Sequence, residues 1–215
     1  MQKNMNKLYV FDMDGTLVDS MPIWKEEGIV TLKEAGVSNY LEVIENFNHM
    51  TAFEVAGFVA AHHESPESGA KIIAAWRAKM LTRYLTDIPL KSGAKEYLEK
   101  LYKNGDRIVL ASGTPKRLST QVLTRLGIRS YFSELYDEEV LNLPKKDPQF
   151  FAQIAKLEGY KPSDVTLLDD AIYAIKAAKE VGYHTIGVYD VISDCYKQEL
   201  SEVAERYIMS FKELI

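Results

Sequence analysis

The sequence predicts an α/β fold: a doubly wound parallel sheet interrupted by an all-helical insert. Three observations predict it. Short apolar runs alternate with helical stretches that carry recognisable caps, the interval 20–87 holds helical patterns alone, and successive apolar runs end on polar residues. With 215 residues, 47% of them apolar, the chain can bury a sizeable core in one large domain or two small ones.

The elements follow in order. "LYVF" at 8–11, "RIVLAS" at 107–112 and "VTLLD" at 165–169 are short apolar runs of the kind that parallel strands buried on both faces require. "HTIGVY" at 184–189 adds another, and "ELYDEE" at 134–139 and "RYIM" at 206–209 are weaker strand patterns. Ser92 is placed to cap a helix that runs through Lys103 and stops at Asn104-Gly105. Thr114-Pro115 and Asp147-Pro148 open two more, and Gly182 closes the helix that begins after Asp170. The insert contributes helical runs at 21–35, 39–47, 51–63 and 66–86, with Ser65-Pro66-Glu67 as a helix start. The expected domains are 1–19 with 88–215 as the α/β core, and 20–87 as the helical domain.

Composition narrows the function classes. A formal charge of −5 and a pI near 5.5 give no basic footprint for nucleic acid or an anionic membrane. No run approaches the length of a membrane span, and the first residues, "MQKNMNKLYV", lack the apolar core of a signal peptide. Cys195 is the single cysteine, so no internal disulfide can form. The expectation is a cytoplasmic protein, monomeric or weakly homo-oligomeric.

The chemistry gathers at the strand ends, where open α/β sheets place their sites. "LYVFDMDGTLVDS" runs from a strand into Asp12, Asp14 and Asp19; "VLASGT" ends on Ser112, Gly113 and Thr114; "LLDD" ends on Asp169-Asp170; and "LPKKDPQFF" sets Lys145 and Lys146 ahead of a helix start. Each has a plainer reading: an Asp after a strand is commonly a turn or cap, a Ser can merely cap, and paired lysines can be a solvated face. Joint placement on one sheet edge favours chemistry over those. Asp12, Asp14 and Asp170 together would repel one another without a cation, and hard oxygen ligands favour Mg²⁺. One aspartate could then attack phosphorus, a second carboxylate could move protons, and a serine hydroxyl with helix N-terminal amides could hold phosphoryl oxygens. For Asp19, helix capping stays an equal alternative.

In that order, the four segments resemble the motifs of the haloacid dehalogenase-type phosphohydrolases, and the helical insert is similar to that family's cap. The resemblance implies an Mg²⁺-dependent phosphatase acting on a small phosphorylated metabolite through an aspartyl phosphate. It implies Asp12 as nucleophile, Asp14 as general acid/base with its carbonyl on the metal, and Ser112 on the phosphoryl group. Asp170 would be a metal ligand, with Asp169 beside it. Gly113, Thr114 and Thr16 would stand at the phosphate, and Trp24 and Lys25, with Pro22 and Glu26, at the leaving-group pocket. Counting back from Pro148 makes Lys145 the third-motif lysine, with Lys146 as the alternative. The chain departs from the family where Ala171 and Ala174 replace a usual serine and glycine after the acid pair.

Asp14 disfavours the dehalogenases and phosphonate-cleaving relatives, which lack an acid there. Hexose-phosphate mutases keep it, but their cap must hold a second phosphate. This chain has no Lys or Arg between Lys33 and Lys71, and Trp24 stands where those mutases carry a cap histidine. A non-catalytic descendant that binds a phosphorylated ligand would be expected to lose Asp12 or Asp14. His49 and His62-His63 read as structural or surface residues.

Overall fold

The computed structural model describes residues 6–46, 57–61 and 69–215. The chain divides into two compact units, Met1–Asp19 with Pro89–Ile215 and Ser20–Ile88.

The first unit is built on a six-stranded sheet in the order β3-β2-β1-β4-β5-β6, with every neighbouring pair parallel. The strands are β1 (Leu8–Phe11), β2 (Arg107–Ser112), β3 (Glu134–Asp137), β4 (Val165–Asp169), β5 (His184–Val188) and β6 (Arg206–Ile208). The order reverses beside β1, so right-handed crossovers distribute helices to both faces. Strand alternation sorts the two cores. Leu8 and Val10 join Val109, Ala111, Val165 and Leu167 against Phe150, Phe151, Ile154 and Ala174 from the helices Pro148–Glu158 and Ile172–Glu180. Phe11 turns to the other face, where its ring lies 6.2 Å from Tyr97, 6.3 Å from Phe132 and 6.3 Å from Phe211.

Local chemistry explains most boundaries. Asp147 caps the helix Pro148–Glu158 by accepting the Gln149 N–H at 2.8 Å. Gly182, at φ 93°, closes the helix Ile172–Glu180 with its N–H on the Lys179 carbonyl while Tyr183 N–H reaches Ala178, a Schellman stop. Two readings need correction. The helix Ala94–Lys103 is led by Gly93 at φ 80°, without a cap from Ser92. A Cβ at Gly93 would stand 2.8 Å from the Lys212 nitrogen, so close approach of the C-terminal segment dictates a glycine there. The run 134–139 is strand only to Asp137, whose carboxylate then caps the short helix Glu138–Leu141.

The second unit holds the helices Met21–Glu34, Tyr40–Asn46 and Gly69–Thr86, with 57–61 also helical. Its described residues contain no strand. Leu32, Ile72, Trp76, Met80 and Tyr84 are buried. Trp24 lies 5.8 Å from the Trp76 ring, and the Trp76 indole N–H donates to the Trp24 carbonyl at 2.9 Å. Gly28 faces Trp76 directly, and a Cβ there would overlap the indole. The missing side chain is what lets the first and last helices of this unit approach. Gly28→Ala should therefore lower stability by about 1–2 kcal/mol net, overpacking outweighing the helix propensity that alanine returns. Urea unfolding checks this, and an unchanged or higher midpoint would refute it.

Candidate active site

Parallel register brings the strand ends to one level. Phe11 pairs with Leu110 on one side and Leu168 on the other, so Asp12 emerges next to Asp169. The Asp12 N–H extends the ladder by donating to the Leu168 carbonyl at 3.0 Å. Opposite them, Lys145 stands two residues ahead of the Asp147 cap. Its ammonium lies 2.5 Å from Asp12 Oδ1 and 2.7 Å from Asp169 Oδ2, and its side chain is 3% exposed. Lys146, by contrast, is exposed. The lysine joined to the carboxylates is thus Lys145.

The neighbouring groups are held by hydroxyls and backbone. Thr16 donates to Asp170 Oδ1 at 3.1 Å and accepts the Asp170 N–H at 3.1 Å. Thr16 is fully buried, with its hydroxyl engaged by Asp170. Gly15, at φ 76°, makes the turn possible, because a Cβ there would collide with the Asp170 carboxylate. Asp169 Oδ1 accepts the Ala171 N–H at 2.9 Å. Ser112 is buried at the end of β2 and its oxygen accepts the Thr114 N–H at 3.0 Å, while Gly113 is exposed to open space. Thr114 Oγ1 donates to Asp14 Oδ2 at 2.7 Å.

Some contributors were not singled out from sequence. Asp137, at the end of β3, accepts the Lys116 N–H at 2.5 Å and the Val140 N–H at 2.7 Å. Glu138 accepts the Lys145 N–H at 2.8 Å, fixing the backbone that carries the ammonium. Lys91 pairs with the buried Asp190 at 2.7 Å. Asp137 carries the same signal as the others, an acid ending an apolar run. Lys91 and Asp190 carry none that sequence reading can use. Trp24 belongs to the helical unit's aromatic cluster, its indole N–H donating to the Tyr84 hydroxyl at 2.8 Å, and Lys25 is exposed. His49 and His62-His63 lie outside the described residues.

Electrostatics make this edge demanding. Burial pushes the Asp12 carboxyl up to about 6, the Lys145 charge opposing and Asp169 adding to the rise. Asp170 is pushed well above the usual carboxylate range by burial and by the charges of Asp12, Asp169 and Asp190. Burial works against the Lys145 charge too, but Asp12 and Asp169 outweigh it and hold the ammonium well above an ordinary lysine. Carboxylate oxygens of Asp12, Asp169 and Asp170 all lie within 4.8 Å of one another. One ammonium does not balance three buried carboxylates, and an all-oxygen donor set suits a hard divalent cation.

A stability prediction follows from the sign of these shifts. A carboxyl whose folded value is raised binds its proton more tightly in the native state, so stability is lost as pH rises above the ordinary Asp value near 3.8. For Asp12 that loss runs to about pH 6, and for Asp170 it continues higher. In chelator, Asp170→Asn should therefore melt above the wild type at pH 8, and the gap should close towards pH 4. Thermal melts of both proteins across that range check it; a gap that widens at low pH would refute it.

Comparison with known proteins agrees with this architecture. The family description "haloacid dehalogenase-like hydrolase" matches residues 6–182. Hexitol phosphatase B of Escherichia coli is 26% identical over 83% of this chain and 82% of its own. The phosphorylated carbohydrates phosphatase of Thermotoga maritima is 25% identical over 86% of each. A conserved haloacid dehalogenase-like protein of unknown function from Agrobacterium tumefaciens superposes with a TM-score of 0.81 at 26% identity, over 98% of this chain and 96% of that one. The buried carboxylate–lysine edge thus sits within a matched span of known type: the chain belongs to the haloacid dehalogenase-like hydrolases.

Proposed function

We propose that the protein is an Mg²⁺-dependent phosphatase that releases phosphate from a small polyol or sugar phosphate through an aspartyl phosphate on Asp12. The observation that carries this reading is the Lys145 ammonium, 2.5 Å from Asp12 and 2.7 Å from Asp169 at the strand ends. An ammonium there orients the Asp12 carboxylate and offsets the negative charge of an arriving phosphoryl group. The names of the relatives, a hexitol phosphatase and a carbohydrate phosphatase, support the substrate class.

Asp12 attacks phosphorus, and the bond from phosphorus to the substrate oxygen breaks as Asp14 gives that oxygen a proton. Water then attacks the phosphoaspartate, its proton passes to Asp14, and phosphate leaves with Asp12 restored. Ser112 and the Gly113 amide hold phosphoryl oxygens during both steps. Asp12, Asp170 and the Asp14 carbonyl would hold Mg²⁺, with Asp169 beside them. Bound there, the ion supplies charge neutralisation for the phosphoryl oxygens. The helical unit, similar to the family's cap, would select the leaving group.

Phosphate release from a panel of hexitol, sugar and p-nitrophenyl phosphates tests the reading. Asp12→Asn should reduce turnover by on the order of 10⁴-fold, as loss of a nucleophile does. Chelation should abolish it and Mg²⁺ should restore it. Activity that survives Asp12→Asn would overturn the assigned nucleophile. Bisphosphate-primed isomerisation without net phosphate release would replace phosphatase by mutase.

A further inference from the structure

Thr114, expected at a phosphate, is bonded to Asp14. The residue is pinned at three points: its N–H donates to Ser112 Oγ at 3.0 Å, its carbonyl accepts from the Ser119 hydroxyl at 3.1 Å, and its own hydroxyl donates to Asp14 Oδ2 at 2.7 Å. It is 9% exposed. Asp14 itself is only half-buried, and it is followed by Gly15 at φ 76° in a tight turn where the Gly15 N–H reaches the Val18 carbonyl at 3.1 Å. A proton-transfer group has to be held in one rotamer, and the Thr114 hydroxyl is a bond that holds Asp14 there.

The geometry points to Thr114 as the positioning residue of Asp14, holding the acid/base carboxyl in one place through both halves of the reaction. This rests on the phosphatase reading above. The chemistry of the hydroxyl is the reason. A backbone amide or an ammonium can only donate, so on protonation it keeps a weaker bond to the acid's carbonyl oxygen and can accept nothing from its O–H. A hydroxyl donates to the carboxylate and accepts from the acid, so Thr114 can keep its bond to Asp14 in either protonation state. The pinned backbone matters as well: it fixes Thr114 against Ser112 and Ser119, so that its hydroxyl ties the loop after β2 to the loop after β1 across adjacent strands.

The test compares wild type, Thr114→Val, Thr114→Ala and Thr114→Ser, each checked for a native melt. Two substrates are used: the best alkyl phosphate from the panel, and p-nitrophenyl phosphate, whose leaving group departs without a proton. Removing the hydroxyl should lower kcat on the alkyl phosphate about ten- to hundredfold, part of what positioned acid–base catalysis contributes, with KM changed less than about threefold. The pre-steady-state burst of p-nitrophenol should stay within threefold of wild type, and Thr114→Ser should regain alkyl-phosphate turnover. If Thr114→Val or Thr114→Ala instead raises KM with kcat unchanged, Thr114 is a phosphate contact and the inference fails. Equal loss of the burst and of alkyl-phosphate turnover, or full activity in both variants, overturns it too. Failure of the phosphatase reading itself would be separate, because wild type would then release no phosphate.

Discussion

The contact on which this active edge depends is the Lys145 ammonium lodged between Asp12 and Asp169. Both carboxylates are buried, and a buried ion pair repays its desolvation only when its geometry is good and the remaining polar atoms find partners. The sheet supplies that geometry. β1 and β4 are neighbours, so their ends stand side by side, and Asp12 is locked to β4 through the Leu168 carbonyl. The lysine is fixed from its own side by Glu138 on its backbone N–H and by the capped helix that starts at Pro148.

Around that contact the protein tolerates an imbalance of charge. Burial and mutual repulsion raise the proton affinity of Asp12 and Asp170, an arrangement that is unfavourable for the fold alone and whose all-oxygen donors suit a hard cation. Neutral hydroxyls do the holding. Thr16 grips Asp170 and Thr114 grips Asp14, so orientation is imposed without adding charge. Asp137 plays the corresponding part on the backbone, tying the first residue of the helix Lys116–Arg125 to the end of β3.

Much of this could be read from the chain. Central strands such as β1, β2 and β4 are buried on both faces and so appear as unbroken apolar runs. β3 and β6 are the sheet's outer strands and bury few apolar residues, Leu135 and Tyr136 in one and Ile208 in the other, so their signals were weak. Helix ends governed by local caps, as at Asp147 and Gly182, were legible because the cap and the helix lie within a few residues of each other. Ser92 misled because the start of that helix answers to a packing contact with Lys212, far along the chain.

The sequence by itself determined the fold class, the polar strand ends and the family they resemble, since periodicity and strand-end chemistry are local properties. Only the tertiary structure shows Lys145 buried against Asp12 and Asp169 while Lys146 is exposed, because burial and distance to carboxylates on two other strands are not local properties. It also decided what the hydroxyls do: Thr16 finds its partner 154 residues away and Thr114 finds its own 100 residues away. Trp24 took its place among aromatic neighbours for the same reason. A side chain's residue type states which bonds it can make; which of them forms depends on what the folded chain brings within reach.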